Sequence, residues 1–318
     1  MHEIGNKLLR PLRIRTPYDA VHCIGHASSN PVPHLRDFCE RLRITQWSND
    51  HRIALQFGSP RGRLVIIVGG ANGDGVHSNN SAKHVMSLDQ IVDLLGNRSR
   101  PETSWISKVA GTTAERAERA VNEVTSHSEL IGELSRNIEK TGKTYYAQFP
   151  APIDLFALVR LSRPRNLVES GVASGVSSTF LLLGIKANSG GILHSIDFPV
   201  FRKGNRGNLS WAIPQGMTSG WAVPRKLRSR WDLRQGRSEG LLRPLLEEIG
   251  TLDFYCHDSP VDIAHFEFEM KSIRKHLKPG SLVVADNTDK KVFDETALSI
   301  GAEAFYRRHS SLGAFLVP

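Results

Sequence analysis

Cysteine is scarce in this chain of 318 residues, and Cys23, Cys39 and Cys256 are odd in number and far apart. That argues against a disulfide framework and a multi-thiolate zinc site, and it fits a reduced compartment. No run of about twenty apolar residues is present to cross a bilayer. The amino terminus, Met1-His-Glu-Ile-Gly-Asn-Lys7, lacks the apolar stretch of a secretory signal. A soluble cytoplasmic protein without membrane contact is the expectation. Acids are outnumbered: 41 Lys and Arg against 32 Asp and Glu leave a net charge of +9. A basic chain can meet nucleic acid, hold an anionic small substrate or simply stay soluble, so charge alone decides nothing. Its placement says more. Between Phe198 and Arg234 the cations Arg202, Lys203, Arg206, Arg225, Lys226, Arg228, Arg230 and Arg234 face the single acid Asp232, which points to a site for negative charge.

With 40% apolar residues the chain can bury a full core and is expected to hold one large domain plus an appended segment. Residues 1–86 read poorly as a fold, with prolines at 11, 17, 31, 33 and 60 and one strand signal, Arg63–Val68. The glycine run Gly69–Gly75 has no helix behind it to receive a phosphate, so it reads as a turn; His22, His26 and His34 are too irregular for metal ligands. These residues are expected to be an extension, with Met86 the natural start, which an intact mass would test. Ser87–Gly96 carries a cap and an apolar face at helical spacing. Residues 112–140 read as helical, Ala114, Ala117, Val121, Val124, Leu130, Ile131 and Leu134 forming a stripe. Residues 87–149 are therefore read as a helical cap on the next domain or as a dimer face.

From residue 150 helix and strand alternate, the pattern of a doubly wound, mostly parallel α/β sheet. A helix at Ile153–Leu161 precedes strands at 166–169, 191–197, 231–235, 252–258 and 281–286, separated by helices at 176–186, 238–249, 261–277 and 289–300. The crossovers imply parallel order, and the runs 302–308 and 312–318 look like an antiparallel hairpin on the sheet edge. The most informative stretch is Asn166-Leu-Val-Glu-Ser-Gly-Val-Ala-Ser-Gly-Val-Ser177, a strand that ends in an acid and breaks into a glycine turn. Asp197 ends the next apolar run. A turn that brings backbone N–H groups to a ligand, followed by a carboxylate able to grip a ribose, points to a nucleoside-type cofactor.

These features together resemble the class I S-adenosylmethionine-dependent methyltransferases over residues 150–318, with a seven-stranded Rossmann-like sheet as the implied fold. Leu252-Asp-Phe-Tyr-Cys-His-Asp-Ser259 and Leu282-Val-Val-Ala-Asp-Asn287 look most like the small-molecule O-methyltransferases, the metal-dependent catechol and caffeoyl-coenzyme A type included. The resemblance implies S-adenosylmethionine as cofactor. It places Glu169 at the acid ending the first strand and Gly171 and Gly175 where backbone approaches the methionine part. Ala173 stands where the family keeps a middle glycine, Ser177 at the methionine carboxylate and Asp197 at the ribose hydroxyls. Gly236, Arg237 and Ser238 fall at the adenine loop.

Asp258, Asp286 and Asn287 end the fourth and fifth strands on the same carboxyl edge, and as hard oxygen ligands they suit Mg²⁺. In the metal-dependent family such an ion draws a substrate hydroxyl toward its alkoxide. The alternative has Asp258 contacting substrate directly and Asp286-Asn287 capping a helix. The family's lysine shortly after the fourth-strand acid is missing here, where Ser-Pro-Val-Asp follows Asp258. Asp258, His257 and His265 are the candidates for moving the acceptor proton, although strand alternation turns His257 away from Asp258. The linker 198–230, with Trp211 and Trp221 among glycines and cations, reads either as a lid that receives an anion or as a loop packed on the sheet. Methyl transfer to an oxygen of a small anionic or polyhydroxylated acceptor is thus the main expectation. RNA methylation using the basic insertion 198–234 and a non-catalytic Rossmann-like binding protein are the alternatives, and a homodimer is open.

Overall fold

The computed structural model describes residues 52–59, 62–69, 85–96, 99–141, 149–199, 212–214, 216–259 and 262–318. The chain divides into two compact units, Met1–Ser81 and Ala82–Pro318. In the first, β1 (Arg52–Ser59) and β2 (Gly62–Gly69) pair antiparallel, with Leu55 opposite Ile66. The strand expected at Arg63–Val68 is there, with a partner the sequence pattern did not announce. His22, His26, His34 and the glycine run beyond Gly69 lie outside the described residues.

The second unit opens with α1 (Leu88–Leu95), α2 (Thr103–Val109), α3 (Ala114–Asn122) and α4 (Ser128–Glu139). Ser87 starts α1 with a reciprocal cap: its hydroxyl accepts from Gln90 N at 3.2 Å and Gln90 Oε1 accepts from Ser87 N at 2.8 Å. The helix expected over 112–140 is broken at Glu123–His127 by a tighter 3₁₀ stretch. The Thr125 and Ser126 hydroxyls donate to carbonyls three residues back, at 2.8 and 2.7 Å, and so compete with the α-helical ladder. Of the expected apolar stripe, Ala117, Val121, Val124, Leu130, Ile131 and Leu134 are buried within the unit, while Ala114 is exposed.

α5 (Pro152–Ser162) starts with proline in its first turn, is buried from Pro152 to Val159, and stops where Arg163 turns left-handed (φ 49°) before Pro164. The chain then runs β3 (Asn166–Ser170), α6 (Val176–Asn188), β4 (Ile192–Asp197), β5 (Trp231–Gln235), α7 (Ser238–Ile249) and β6 (Leu252–His257). It ends with α8 (Ile263–Ile273), β7 (Leu277–Ala285), α9 (Lys290–Leu298), β8 (Phe305–Tyr306) and β9 (Gly313–Leu316). Sheet order is β5-β4-β3-β6-β7-β9-β8, with β3 to β7 parallel and β9 antiparallel to both neighbours. The doubly wound sheet with its terminal hairpin is as expected. Among the described residues no helix is long and apolar enough to cross a membrane.

Strand alternation divides the core. Leu167, Phe254, Cys256, Leu282 and Val284 pack with the helices α1 to α6, whereas Val168, Tyr255 and Val283 pack with α7, α8 and α9. Successive residues at a strand end therefore face opposite layers, and Glu169 and Ser170 meet different helices. Strand order reverses beside β3: the chain steps outward to β4 and β5, then returns to β6 on the other side. In such sheets the crevice for a ligand opens at the carboxyl ends of these strands.

Candidate cofactor and active site

Glu169, at the end of β3, is completely buried, and the Ser178 and Ser195 hydroxyls both donate to its Oε2 at 2.6 Å. Trp231 Nε1 in turn donates to Ser195 Oγ at 2.8 Å. Burial pushes the Glu169 carboxyl up to about 7 despite these bonds, so desolvation outweighs the hydrogen bonds. The turn behind it meets Asp197: Val172 N donates to Asp197 Oδ1 at 2.9 Å and Ala173 N at 3.4 Å. The two ends of the predicted cofactor motif thus lie in contact. Ser219 donates to the other oxygen, Oδ2, of Asp197.

The glycines of the turn are needed by the protein's own packing. A Cβ on Gly171 (φ 90°) would lie 2.0 Å from the Asp258 carbonyl oxygen, and one on Gly175 (φ 91°) 2.4 Å from Val223 Cγ2. Ala173, between them, is held left-handed at φ 47°, where only glycine is unstrained. Its carbonyl accepts from Gly220 N at 2.8 Å, and Ser174 O accepts from Ala222 N at 3.1 Å. The described end of the linker after β4 is therefore strapped along the turn. Three polar atoms here are buried without a hydrogen bond: Glu169 Oε1, Ser177 Oγ and Trp221 Nε1. Burial raises both the Glu169 and Asp258 carboxyls, and Ser177, facing them, opposes that rise without closing a bond of normal geometry to either. Buried polar atoms left unpaired each cost about 1–3 kcal/mol, which a bound polar ligand would recover. The unpaired Ser177 hydroxyl at the start of α6 and the Asp197 carboxylate beside the turn fit a nucleoside cofactor carrying a carboxylate.

Residues 168–288 match the model of the methyltransferase-domain family. That stretch, under half of the chain, is similar to a methyltransferase domain. No curated protein matches the chain. Among solved structures, it is similar to the O-methyltransferase TomG from Streptomyces achromogenes, involved in tomaymycin synthesis and in complex with S-adenosylmethionine. That pair shares 17% identity at TM-score 0.42, covering 58% of this chain and 89% of the other. The S-adenosylhomocysteine-bound methyltransferase PaMTH1 from Podospora anserina gives 12% identity and TM-score 0.41 over 59% and 87% of the two chains. An O-methyltransferase from Bacillus cereus, in complex with S-adenosylhomocysteine, gives 17% and 0.35 over 67% and 96%. Values this low lend none of those proteins' chemistry to this chain.

Beside this turn, the residues expected at an adenine loop follow β5: Gly236 N donates to Asp197 O at 2.9 Å, Ser238 is buried, and Arg237 is exposed with its guanidinium 4.6 Å from the centre of the Phe198 ring. Phe198, exposed beside Asp197, is an aromatic face that the sequence pattern did not single out.

On the carboxyl edge, Asp258 follows β6 and Asp286 follows β7. Asp258 N donates to Ser170 O at 2.7 Å and Asp286 N to His257 O at 2.9 Å, which clips both to neighbouring strand ends. Burial, then the charges of Asp286 and Glu169, push the Asp258 carboxyl well above its ordinary range. Asp286 accepts from Ser311 Oγ at 2.5 Å. Asn287, the third expected metal ligand, is exposed with left-handed backbone (φ 52°). Two carboxylates are what this edge offers a cation, and among the described residues no group of three or more His, Cys, Asp or Glu is placed to hold one.

The histidines belong to a network that sequence reasoning missed. Glu269 on α8, fully buried, accepts from Tyr255 Oη at 2.7 Å and Ser170 Oγ, is bonded to His257 Nδ1 at 2.6 Å, and lies 3.1 Å from His265 Nε2. Burial would raise its pKa, but the bonds from His257 and His265 win and hold it far below the usual carboxylate range. His265 also reaches Glu239 at 3.2 Å and Ser238 at 3.4 Å, and its pKa is raised to about 9, first by the bond to Glu269 and against the effect of burial. Both histidines are committed to this buried hub, which ties the start of α7 to β3 and β6. A carboxylate inside a helix facing a strand histidine at a distance of 12 residues has no signal in local spacing.

The basic linker is largely self-satisfied where it is described. Arg228 donates to Gly220 O at 3.0 Å and Val223 O at 3.1 Å, Lys226 pairs with Glu129 at 2.9 Å, and Arg234 pairs with Asp232 and Glu248, both at 2.9 Å. Arg202, Lys203, Arg206 and Trp211 lie outside the described residues.

Proposed function

We propose that the chain moves the methyl group of S-adenosylmethionine to an oxygen of a small acceptor that is anionic or polyhydroxylated. The observation that carries the reading is Asp197, whose carboxylate is drawn onto the Val172 and Ala173 N–H groups of the turn opening α6. When bound, the cofactor supplies a sulfonium methyl already activated for displacement. Asp197 would hold the ribose hydroxyls, Ser177 and the α6 N-terminus the methionine carboxylate, and Gly236, Arg237, Ser238 and the Phe198 ring the adenine. Glu169 fixes the turn from beneath through Ser178. Asp258, at the edge and with its basicity raised by burial and by Asp286, is the group placed to accept the acceptor's proton. His257 and His265 position that edge through Glu269 and do not carry the proton themselves.

Calorimetry with S-adenosylhomocysteine tests this. Saturable binding is expected, weakened at least tenfold (about 1.4 kcal/mol) in Asp197→Ala; no binding by the intact protein overturns the reading. A Mg²⁺-assisted version adds Asp286 and Asn287 as ligands, and full turnover in excess chelator would overturn that version alone. The RNA alternative draws little from the linker, whose described cations are mostly spent on the protein's own acceptors.

A further inference from the structure

The cations the linker does not offer are found at the opposite edge of the sheet. α5 ends just before β3 begins and α6 ends just before β4 begins, so their carboxyl ends lie at the amino edge, away from Asp197 and Asp258. There a cavity of about 190 Å³ is bounded by Arg116 and Arg119 on α3 and by Arg160 and Arg163 at the end of α5, over a floor of Ala120 and Leu161. Its single acid is Glu123. Arg160 spends its Nε on Glu123 at 2.5 Å and another nitrogen on Asn188 at the end of α6. Arg116, Arg119 and Arg163 are exposed and form no ion pair or side-chain hydrogen bond among the described residues. One guanidinium is therefore held and oriented by its neighbours, while three more stand at the rim without an ion-pair contact, Arg119 feeling the charge of Glu115 at a distance.

Two further facts define the place. Arg116 and Arg119 are three residues apart on α3 and share a face. Arg163 is itself the left-handed residue that terminates α5. The nearby His127 has its pKa lowered by burial and then by the charges of Lys186 and Arg160, so positive potential extends beyond the lining.

We propose that this cavity binds a phosphate group, as inorganic phosphate or as the terminal phosphate of a small molecule. Guanidinium forks match phosphate oxygens two at a time, and several around one concavity are worth far more than scattered surface charges. Size narrows the class. The cavity, at about 190 Å³, is smaller than the roughly 300–1,000 Å³ of pockets that enclose whole organic ligands. A phosphate with a few waters fits; a buried nucleotide does not. The site is independent of methyl transfer and stands or falls on its own.

Titration calorimetry of the full chain with sodium phosphate at low ionic strength tests it, with Arg116→Ala/Arg163→Ala as the variant and Arg225→Ala/Arg230→Ala as a charge-matched control. Saturable binding with Kd near or below ~1 mM is expected, weakened at least tenfold in the first variant and less than twofold in the control. The thermal unfolding midpoint of the first variant in the absence of phosphate should match that of the parent, which shows the fold intact. Absence of saturation up to about ten times that concentration, or equal weakening in both variants, overturns the proposal. So does an RNA oligomer that binds more tightly than phosphate, loses affinity in the first variant and shows the steep salt dependence of several phosphate contacts.

Discussion

Glu269 is buried to zero exposure and keeps its charge because Tyr255, Ser170, His257 and His265 all converge on it. Removing one partner from such a cluster leaves the others buried and unpaired, which costs about 3–5 kcal/mol. Glu269→Ala should lose a stability of that order in urea unfolding. The same hub sets a pH window through His265. Its folded pKa of about 9 lies above its ordinary 6.5, so its contribution to stability is complete below pH 6.5 and disappears as pH rises to 9. Imidazole proton shifts should show His265 titrating near 9 in the parent and near the ordinary value in Glu269→Ala. A parent value already near 6.5 would mean that the charged pair does not form.

The strap after β4 raises a question of competition. Asp197 Oδ1 is occupied by the turn's N–H groups, and Oδ2 by the Ser219 hydroxyl. A ribose diol at Asp197 must displace or share that donor. Ser219→Ala removes it, and a hydrogen bond worth about 1 kcal/mol should then tighten S-adenosylhomocysteine binding up to about fivefold in calorimetry. Weaker binding would show instead that Ser219 holds the strap in its ligand-bound position. This contact also marks where reading the sequence reached its limit. The strand acid, the glycine turn and Asp197 were legible because each sits at a fixed place on consecutive βα units, and the hydrophobic runs fixed their strands. The strap, Glu269 and the 3₁₀ break at Glu123–His127 were not, since they depend on side chains meeting from distant elements or on hydroxyls competing with the ladder. α2 was missed because its seven residues bury only Trp105, Ile106 and Val109, too short a stretch for periodicity to register.

The amino-terminal helices and the sheet are joined through a charge taken deep into the core. Asp154, on α5, has zero exposure and accepts from Arg307 Nε at 2.8 Å and from Glu102 N at 3.4 Å, with its Oδ1 unpartnered. Trp105 Nε1 donates to Phe305 O at 3.0 Å and Arg308 N to Glu102 Oε2 at 3.0 Å, so the start of α2 grips the terminal hairpin around this pair. Burial is the stronger effect on Asp154: its carboxyl is pushed up to about 6 although Arg307 pulls it down. A carboxyl raised in the folded state adds most to stability below its ordinary 3.8 and loses that contribution as pH climbs to 6. Arg307→Ala strands the anion, so the folded pKa should rise further and the deficit should grow with pH. Urea unfolding is expected to show a loss of about 3 kcal/mol or more at pH 8, clearly smaller at pH 5, where Asp154 can take up a proton. Asp154→Asn in the Arg307→Ala background should remove the pH dependence of the loss, because no buried charge is left to neutralise. Equal deficits for Arg307→Ala at both pH values would mean that packing of the arginine stem, not its charge, holds the amino-terminal helices and the hairpin together.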